Sequence, residues 1–459
     1  MVQQFQLTGH QGPVTCLAHS SNAQQGVKTT KTTKIKKKQH ANNTKLPCCL
    51  LSGSEDGTVR LWDFRSNPSR ASLCILSPNK QEEITSVTFD DDETANAYPF
   101  TVFASIGSAV YGFDLRQASS PILQLHHYQL QTLEGEEINQ IALTTAQTNK
   151  RIYMASADDD GFARVTDSIP NRFNANSNSS SSASASNAAA GNRCTLLQHC
   201  EDTSLASSSA ALVTSLAFRP KAKYLDLATG GTDCIVCLWD VNRPRRPSAT
   251  FVIQREEEEG VNQVCNPPFV NSLSWSPSGR LLAAGLGDGS AMVMQVDGRR
   301  LVDGCRLRGG HDAAIASVLF PRFGGLDSSH VVADDRLLVT GGNDGSIILW
   351  DLGGNLVKDG IDPSTVFVDC NGNCDGDGDG NGDTSIADLD HVDGAMKDLS
   401  LRDANSANGK DPRILMGLQH GKKPNCIESC NALDPMFLSS LFVADISNAI
   451  TVYTFPRGP

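Results

Sequence analysis

The chain has no run of apolar residues approaching the length needed to cross a bilayer, so a spanning helix is not expected. Its first ten residues, MVQQFQLTGH, lack the charged start and apolar stretch of a secretory signal. It also lacks an excess of base. Of 459 residues, 39 are Lys or Arg against 51 Asp or Glu, and the net charge of −12 argues against a whole-surface nucleic-acid binder. A glycine-rich phosphate loop, a nucleophile elbow and a metal-binding histidine pair are all missing. The fourteen cysteines are scattered, and without an export signal they are expected to be thiols rather than disulfides. Cys370 with Cys374, and Cys426 with Cys430, have no histidine partners at zinc spacing. Cys234 and Cys237 fall in a predicted strand, where side chains three apart point to opposite faces. These absences leave a non-enzymatic cytoplasmic or nuclear protein, with no cofactor and no membrane, as the expectation.

What is present is repetition. CLLSGSEDGTVRLWDFR (Cys49 to Arg65) returns as DLATGGTDCIVCLWDVNR (Asp226 to Arg243) and as RLLVTGGNDGSIILWDL (Arg336 to Leu352). A small hydroxyl residue, a turn aspartate and a tryptophan recur at fixed offsets: Ser52, Asp56, Trp62; Thr229, Asp233, Trp239; Thr340, Asp344, Trp350. Each copy reads as two apolar, β-branched runs joined by a tight turn that often contains Asp-Gly, the sign of a hairpin. Gly9-His10 and Gly310-His311 stand before the strands that precede the first and last of these copies.

A Gly-His, a strand, a hairpin and a Trp-Asp resemble the WD-repeat family, whose units build four-stranded blades of a β-propeller. The resemblance implies an all-β, seven-bladed WD-repeat β-propeller with loop insertions, its N-terminal strand completing the last blade. It also implies that His10, Ser52, Asp56 and Trp62, and likewise His311, Thr340, Asp344 and Trp350, form hydrogen-bonded chains inside their blades. A catalytic His-Asp-Ser relay is the rival reading. Recurrence around the ring favours the structural one, because a single nucleophile would suffice for catalysis.

The blades are expected at about 7–66, 67–117, 118–168, 194–250, 251–298, 299–352 and 413–459, the last joined by 1–6. In the first segment Phe5 and Leu7 alternate with Gln4 and Gln6, as in a strand with one face more buried. Blade two is degenerate, with Phe113 in the tryptophan position. Blade three keeps Ser156 and Asp160 but has Thr166 for tryptophan, and blade five has Ala284, Asp288 and Met294 at the same offsets.

Three insertions interrupt the pattern: 20–45 is Lys-rich, 169–193 is rich in Ser, Asn and Ala, and 353–412 is acidic and rich in Asp and Gly. By strand order in the family, all three should leave from one face of the disc, making the opposite face the candidate docking surface. Lys34, Lys36, Lys37 and Lys38 read as a nuclear import signal, a phosphate-binding patch or a solvated loop. Asp377, Asp379, Asn381, Gly382, Asp383 and Asp388 partly match a calcium loop, but position twelve is Asp rather than a bidentate Glu and position eight is Thr384.

Trp62-Asp63-Phe64-Arg65 and Phe113-Asp114-Leu115-Arg116 resemble the W-D-x-R box of substrate receptors of cullin-4 ubiquitin ligases. That resemblance implies protein partners, with Trp62, Asp63, Arg65, Asp114 and Arg116 as partner-binding residues toward the ligase adaptor. An arginine suits the task because its planar fork makes directed bonds to carbonyls or carboxylates. The chain is expected to be monomeric outside its complexes.

Overall fold

In the computed structural model the described residues are 2–19, 49–64, 71–78, 82–89, 101–115, 118, 120–123, 128–132, 136–146, 151–167, 194–199, 211–254, 266–321, 335–353, 412–431 and 437–456. Every regular element among them is a strand, and no helix among them is long and apolar enough to cross a membrane.

The strands form seven sheets, each of four antiparallel strands lettered a to d from the centre outward. Blade one holds β2 (Val14–His19), β3 (Cys49–Ser54), β4 (Thr58–Asp63) and β5 (Leu73–Leu76). Blade two holds β6 (Ile84–Phe89), β7 (Thr101–Ile106), β8 (Ala109–Asp114) and β10 (Tyr128–Thr132). Blade three is β11 (Ile138–Thr145), β12 (Ile152–Asp158), β13 (Phe162–Thr166) and β14 (Cys194–Gln198). Blade four is β15 (Val213–Phe218), β16 (Asp226–Gly231), β17 (Ile235–Asp240) and β18 (Ala249–Val252). Blade five is β19 (Val270–Trp275), β20 (Leu281–Leu286), β21 (Ala291–Asp297) and β22 (Arg300–Leu307). Blade six is β23 (Ile315–Leu319), β24 (Leu337–Gly342), β25 (Ser346–Asp351) and β26 (Arg413–Gln419). In blade seven, β27 (Pro424–Asn431), β28 (Phe437–Asp445) and β29 (Ala449–Pro456) are completed by β1 (Gln3–Thr8).

The grouping differs from the expected boundaries in a regular way. Leu73–Leu76, Cys194–Gln198 and Arg300–Leu307 are the outer strands of blades one, three and five, not the opening of blades two, four and six. The sequence repeat and the structural blade are out of phase, because an outer strand pairs back onto the hairpin before it. A further departure is β9 (Ile122–Leu123), which adds a parallel fifth strand to β5 through Cys74↔Ile122 and Ile75↔Leu123. It covers a sheet edge that would otherwise be open to pairing.

The a strands of adjacent blades pack against one another all the way round. Each carries a register shift after its first residue, from Val14/Cys16 in blade one to Pro424/Cys426 in blade seven. The bulge turns the skipped residue toward the next blade. Thr15 donates to the carbonyl of Ile84, Thr85 to Ile138 at 2.5 Å, Asn139 to Val213 at 3.0 Å and Thr214 to Val270. Asn271 donates to Ile315 at 3.0 Å, and Asn425 closes the circle onto Val14 at 2.9 Å. The seventh position is Ala316, which has no donor to offer.

A second belt runs one residue further along. The amide of Ile141 donates to Ser86, Leu216 to Gln140, Leu273 to Ser215, Val318 to Ser272 and Ile427 to Ser317, at 2.8 to 3.2 Å. In the two remaining seams the amides of Val87 and Leu17 meet the thiols of Cys16 and Cys426. Burial pushes the Cys16 thiol up to about 12, so it serves as packing rather than as a nucleophile.

Space for these seams comes from small residues on the b strands. A Cβ at Gly230 would fall 2.3 Å from Val270, and one at Gly341 would fall 2.4 Å from Ile427. Gly53 and Gly285 receive Ile84 and Ile315 in the same way. At the same register Ser105, Ala157 and Ala444 complete the set.

Ring closure uses β1 on β29, in register from Gln3↔Thr454 to Thr8↔Ala449. The strand is exposed apart from half-buried Phe5 and from Leu7, which is 1% exposed and packs with Trp62, Phe442 and Ile450. Removing residues 2–8 strips this ladder and opens the β29 edge. Urea unfolding of the truncated protein should lose its single cooperative transition, or the protein should aggregate; an unchanged melt would refute closure by β1. A gain is available at the one gap in the inner belt. Ala316→Thr supplies the missing hydroxyl to the Pro424 carbonyl and should raise the unfolding free energy by about 0.5–1.5 kcal/mol in urea titration.

Candidate docking faces and the polar chains behind them

In blade one the expected four residues meet. Trp62 Nε1 donates to Ser52 Oγ at 2.9 Å, and Ser52 lies 2.7 Å from His10 Nε2. His10 Nδ1 is 3.2 Å from Asp56 and 3.1 Å from Thr58 Oγ1. With Nδ1 protonated toward the carboxylate, the bonds run in one direction from indole to hydroxyl to imidazole to Asp56, and the ring is neutral. Burial, which outweighs the hydrogen bond to Asp56, holds His10 below its ordinary value. Burial also pushes Asp56 up, but His10, Thr58 and the Gln11 amide outweigh it, and the carboxyl sits well below the usual range.

Blade six repeats the arrangement. His311 Nε2 lies 2.7 Å from Thr340 Oγ1, which accepts from Trp350 at 2.9 Å, and His311 Nδ1 lies 3.3 Å from Asp344. The glycine before the histidine has a steric reason: a Cβ at Gly310 would lie 2.5 Å from Trp350 Cζ2.

The Ser-His-Asp geometry of blade one is that of a hydrolase relay. Its hydroxyl, however, is fully buried and occupied by an indole N–H, as Thr340 is in blade six. No substrate reaches either oxygen. Deleting Ser52 Oγ would orphan two buried groups, at a cost of about 1–3 kcal/mol each.

Sequence reasoning missed the fourth members of two further sets. His199, with no glycine before it, bonds Thr229 through Nδ1 at 2.8 Å, and its Nε2 stands 3.3 Å from Asp233 without the geometry of a hydrogen bond, the ring turned over relative to His10. Trp239 donates to Thr229 at 2.9 Å. The turn of this blade places Cys234 at φ +64°, where Gly57 and Gly345 stand in blades one and six, so Cys234 is in the turn and not the strand. In blade seven His420 bonds Asp445 and Tyr453, each at 2.8 Å, with tyrosine in place of tryptophan.

Blade three departs from expectation. The buried carboxylate is Asp158, bonded by Arg164 at 2.6 Å, whereas Asp160 is exposed and only 3.6 Å from the same guanidinium. Blade five uses Arg306 on Asp288, a cation drawn from the outer strand. In blade two Ala104 stands at the hydroxyl position and Phe113 at that of the tryptophan, both buried.

Of the box residues, Trp62 and Asp114 are buried at 1% and 2% exposure, and Asp63 is half-buried. They can hold the following loop in place but do not themselves present a surface. Arg65, Arg116, the Lys-rich segment and the calcium-loop residues Asp377, Asp379, Asn381, Asp383 and Asp388 lie outside the described residues.

Strand order separates two faces. The a–b and c–d connections leave one end of the strands, and all three long insertions depart from there, after β2, β13 and β25. The b–c turns and d–a connections form the other face. In blades one to three that face is acidic: burial and the charges of Glu137 and Glu55 push the Glu83 carboxyl up.

The family model described as "WD domain, G-beta repeat" matches residues 1–63, 199–240, 261–293 and 305–351. The chain is 25% identical over 413 residues to the WD repeat-containing protein 53 homolog of Dictyostelium discoideum, covering 87% of this chain and 86% of that one. It is 32% identical over 108 residues to WD repeat-containing protein VIP3 of Arabidopsis thaliana, 24% of this chain and 32% of that one. A further 106 residues are 30% identical to Protein lethal(2)denticleless of Drosophila melanogaster, 23% of this chain and 12% of that one.

The shifted groups set a pH dependence. His10 titrates below its ordinary value when folded, and Asp56 and Asp344 titrate below theirs. Between folded and unfolded values the unfolded chain therefore binds more protons, so stability rises with pH. Urea midpoints should fall from neutral pH as the medium drops below about 6.5, and further below about 4. Asp56→Asn with Asp344→Asn, less stable at neutral pH, should show the flatter profile below about pH 4.

Proposed function

We propose that this chain, a seven-bladed WD-repeat propeller, is a docking platform for other proteins that carries out no chemistry of its own. In its sharpest form it is a substrate receptor of a cullin-4 ubiquitin ligase, joined to the adaptor through Arg65 and Arg116. The observation that carries this reading is the placement of the two boxes. Strands β4 and β8 belong to adjacent blades, and Asp63 and Asp114 close them on the same face. Two arginines in consecutive boxes suit carbonyls or carboxylates on a single partner. The acidic b–c and d–a face, free of the three long insertions, then holds the substrate. A cytoplasmic or nuclear setting goes with this role.

A second reading, a ligase-independent scaffold of a nuclear or cytosolic complex, has its own support. The three long insertions leave from the face on which β4 and β8 end, and an adaptor there would have to accommodate them. Phe113 also replaces the tryptophan of the second box.

Affinity purification of wild type beside Arg65→Ala, Arg116→Ala separates the two. Recovery of cullin-4 and its adaptor with wild type, and their loss with the double variant, is the expected result. Equal recovery of other partners by both proteins, without cullin-4, would leave the scaffold reading standing and remove the receptor.

A further inference from the structure

The face that carries the insertions is not uniform. At blades four and five, segments 219–226, 240–248, 276–281 and 297–300 hold nine cationic side chains against three carboxylates, in a chain whose net charge is −12. Two of those carboxylates, Asp226 and Asp240, are buried at 4% exposure and look inward. They anchor the half-buried arginines beneath the patch: Arg219 lies 3.5 Å from Asp226, and Arg299 lies 2.8 Å from Asp240 and 3.6 Å from Asp226. Arg299 reaches back from blade five, so the anchor also joins the two blades. Arg280, at the edge, faces Asp335 of blade six at 3.8 Å.

Above this base stand Lys221, Lys223, Arg243, Arg245, Arg246 and Arg300, all exposed. Arg243 does no more than approach Asp240 at 3.9 Å, with its side chain 84% exposed. Proline brackets the cations at Pro220, Pro244 and Pro247, fixing φ and reducing the freedom that binding would have to remove. A concentration of like charge on loops held this firmly destabilises the free protein by self-repulsion, and a partner of opposite sign relieves it.

We infer that this patch on blades four and five docks an acidic segment of a partner protein. Nucleic acid is the other polyanion that would find such a patch, and two features count against it. Tyr224, exposed at 52%, is the aromatic of these segments, and its ring already carries the Arg299 guanidinium at 4.2 Å and the Lys223 ammonium at 5.5 Å, so a stacking base would have to displace a cation. The rest of the chain is acidic, so a long polyanion is repelled beyond the patch while a short carboxylate-rich segment is not. The inference stands apart from the ligase reading, because it uses neither Arg65 nor Arg116.

The test is fluorescence anisotropy of the full chain with a short labelled peptide rich in Asp and Glu, and with a single-stranded oligonucleotide of equal charge. Two charge-reversed proteins are compared, Lys221→Glu with Lys223→Glu, and Arg245→Glu with Arg246→Glu. Saturable peptide binding that weakens with salt, and falls about tenfold or more in both variants at unchanged melting temperature, is expected. Arg65→Ala with Arg116→Ala should bind the peptide as wild type does. No peptide binding, equal binding by the reversed variants, or tighter binding of the oligonucleotide lost in the same variants would each overturn the proposal.

Discussion

The structure depends on the seam between neighbouring a strands. A propeller must turn its chain through a full circle using blades that are each twisted sheets, and the contact between blades has to be both close and directional. Here a bulge at the start of each a strand does both. It seats a β-branched residue against a glycine or other small residue of the preceding blade, and it turns the bulged side chain toward the next blade's carbonyl. The ring's innermost polar groups are thereby satisfied between blades rather than within them. Hydrogen bonds of this kind contribute about 1 kcal/mol each, but leaving such buried groups unpaired costs more.

The Trp-to-Asp chains have a different task. They tie a d–a connection, a b strand, a b–c turn and a c strand within one blade, so they hold the shape of the b–c and d–a face rather than the ring. Their variation around the circle supports that view. A histidine occupies the cationic or donor position in blades one, four, six and seven, and arginine takes it in blades three and five. Blade two does without, relying on Phe113 and its neighbours in the core. The common requirement is a donor for a buried or half-buried carboxylate, which several side chains can meet from different strands.

The two faces consequently carry different charge. On one, carboxylates of blades one to three crowd one another; on the other, arginines pinned by Asp226 and Asp240 support an exposed basic rim. The aspartate that closes a Trp-Asp pair works at this second face. In blade six Asp351 clamps both Arg336 and Arg413, and in blade four Asp240 reaches Arg299 of the next blade.

The sequence by itself determined the all-β class, the seven units, the closing role of the first strand and the members of the blade-one and blade-six chains. These follow from local spacing: hairpin turns, alternating apolar residues and offsets of a few residues within one repeat. Only the tertiary structure decided the phase of the blades, because an outer strand declares its partner by pairing and not by composition. It also decided that His199 and His420 complete chains, since neither carries the Gly-His signature, and that Asp158 rather than Asp160 is the buried acid of blade three. Thr15, Asn139 and Asn425 read as ordinary polar residues until the bulge aims each at a carbonyl in the next blade. The basic rim likewise gathers segments up to eighty residues apart, from Arg219 to Arg299, and no local pattern announces what a closed ring brings together.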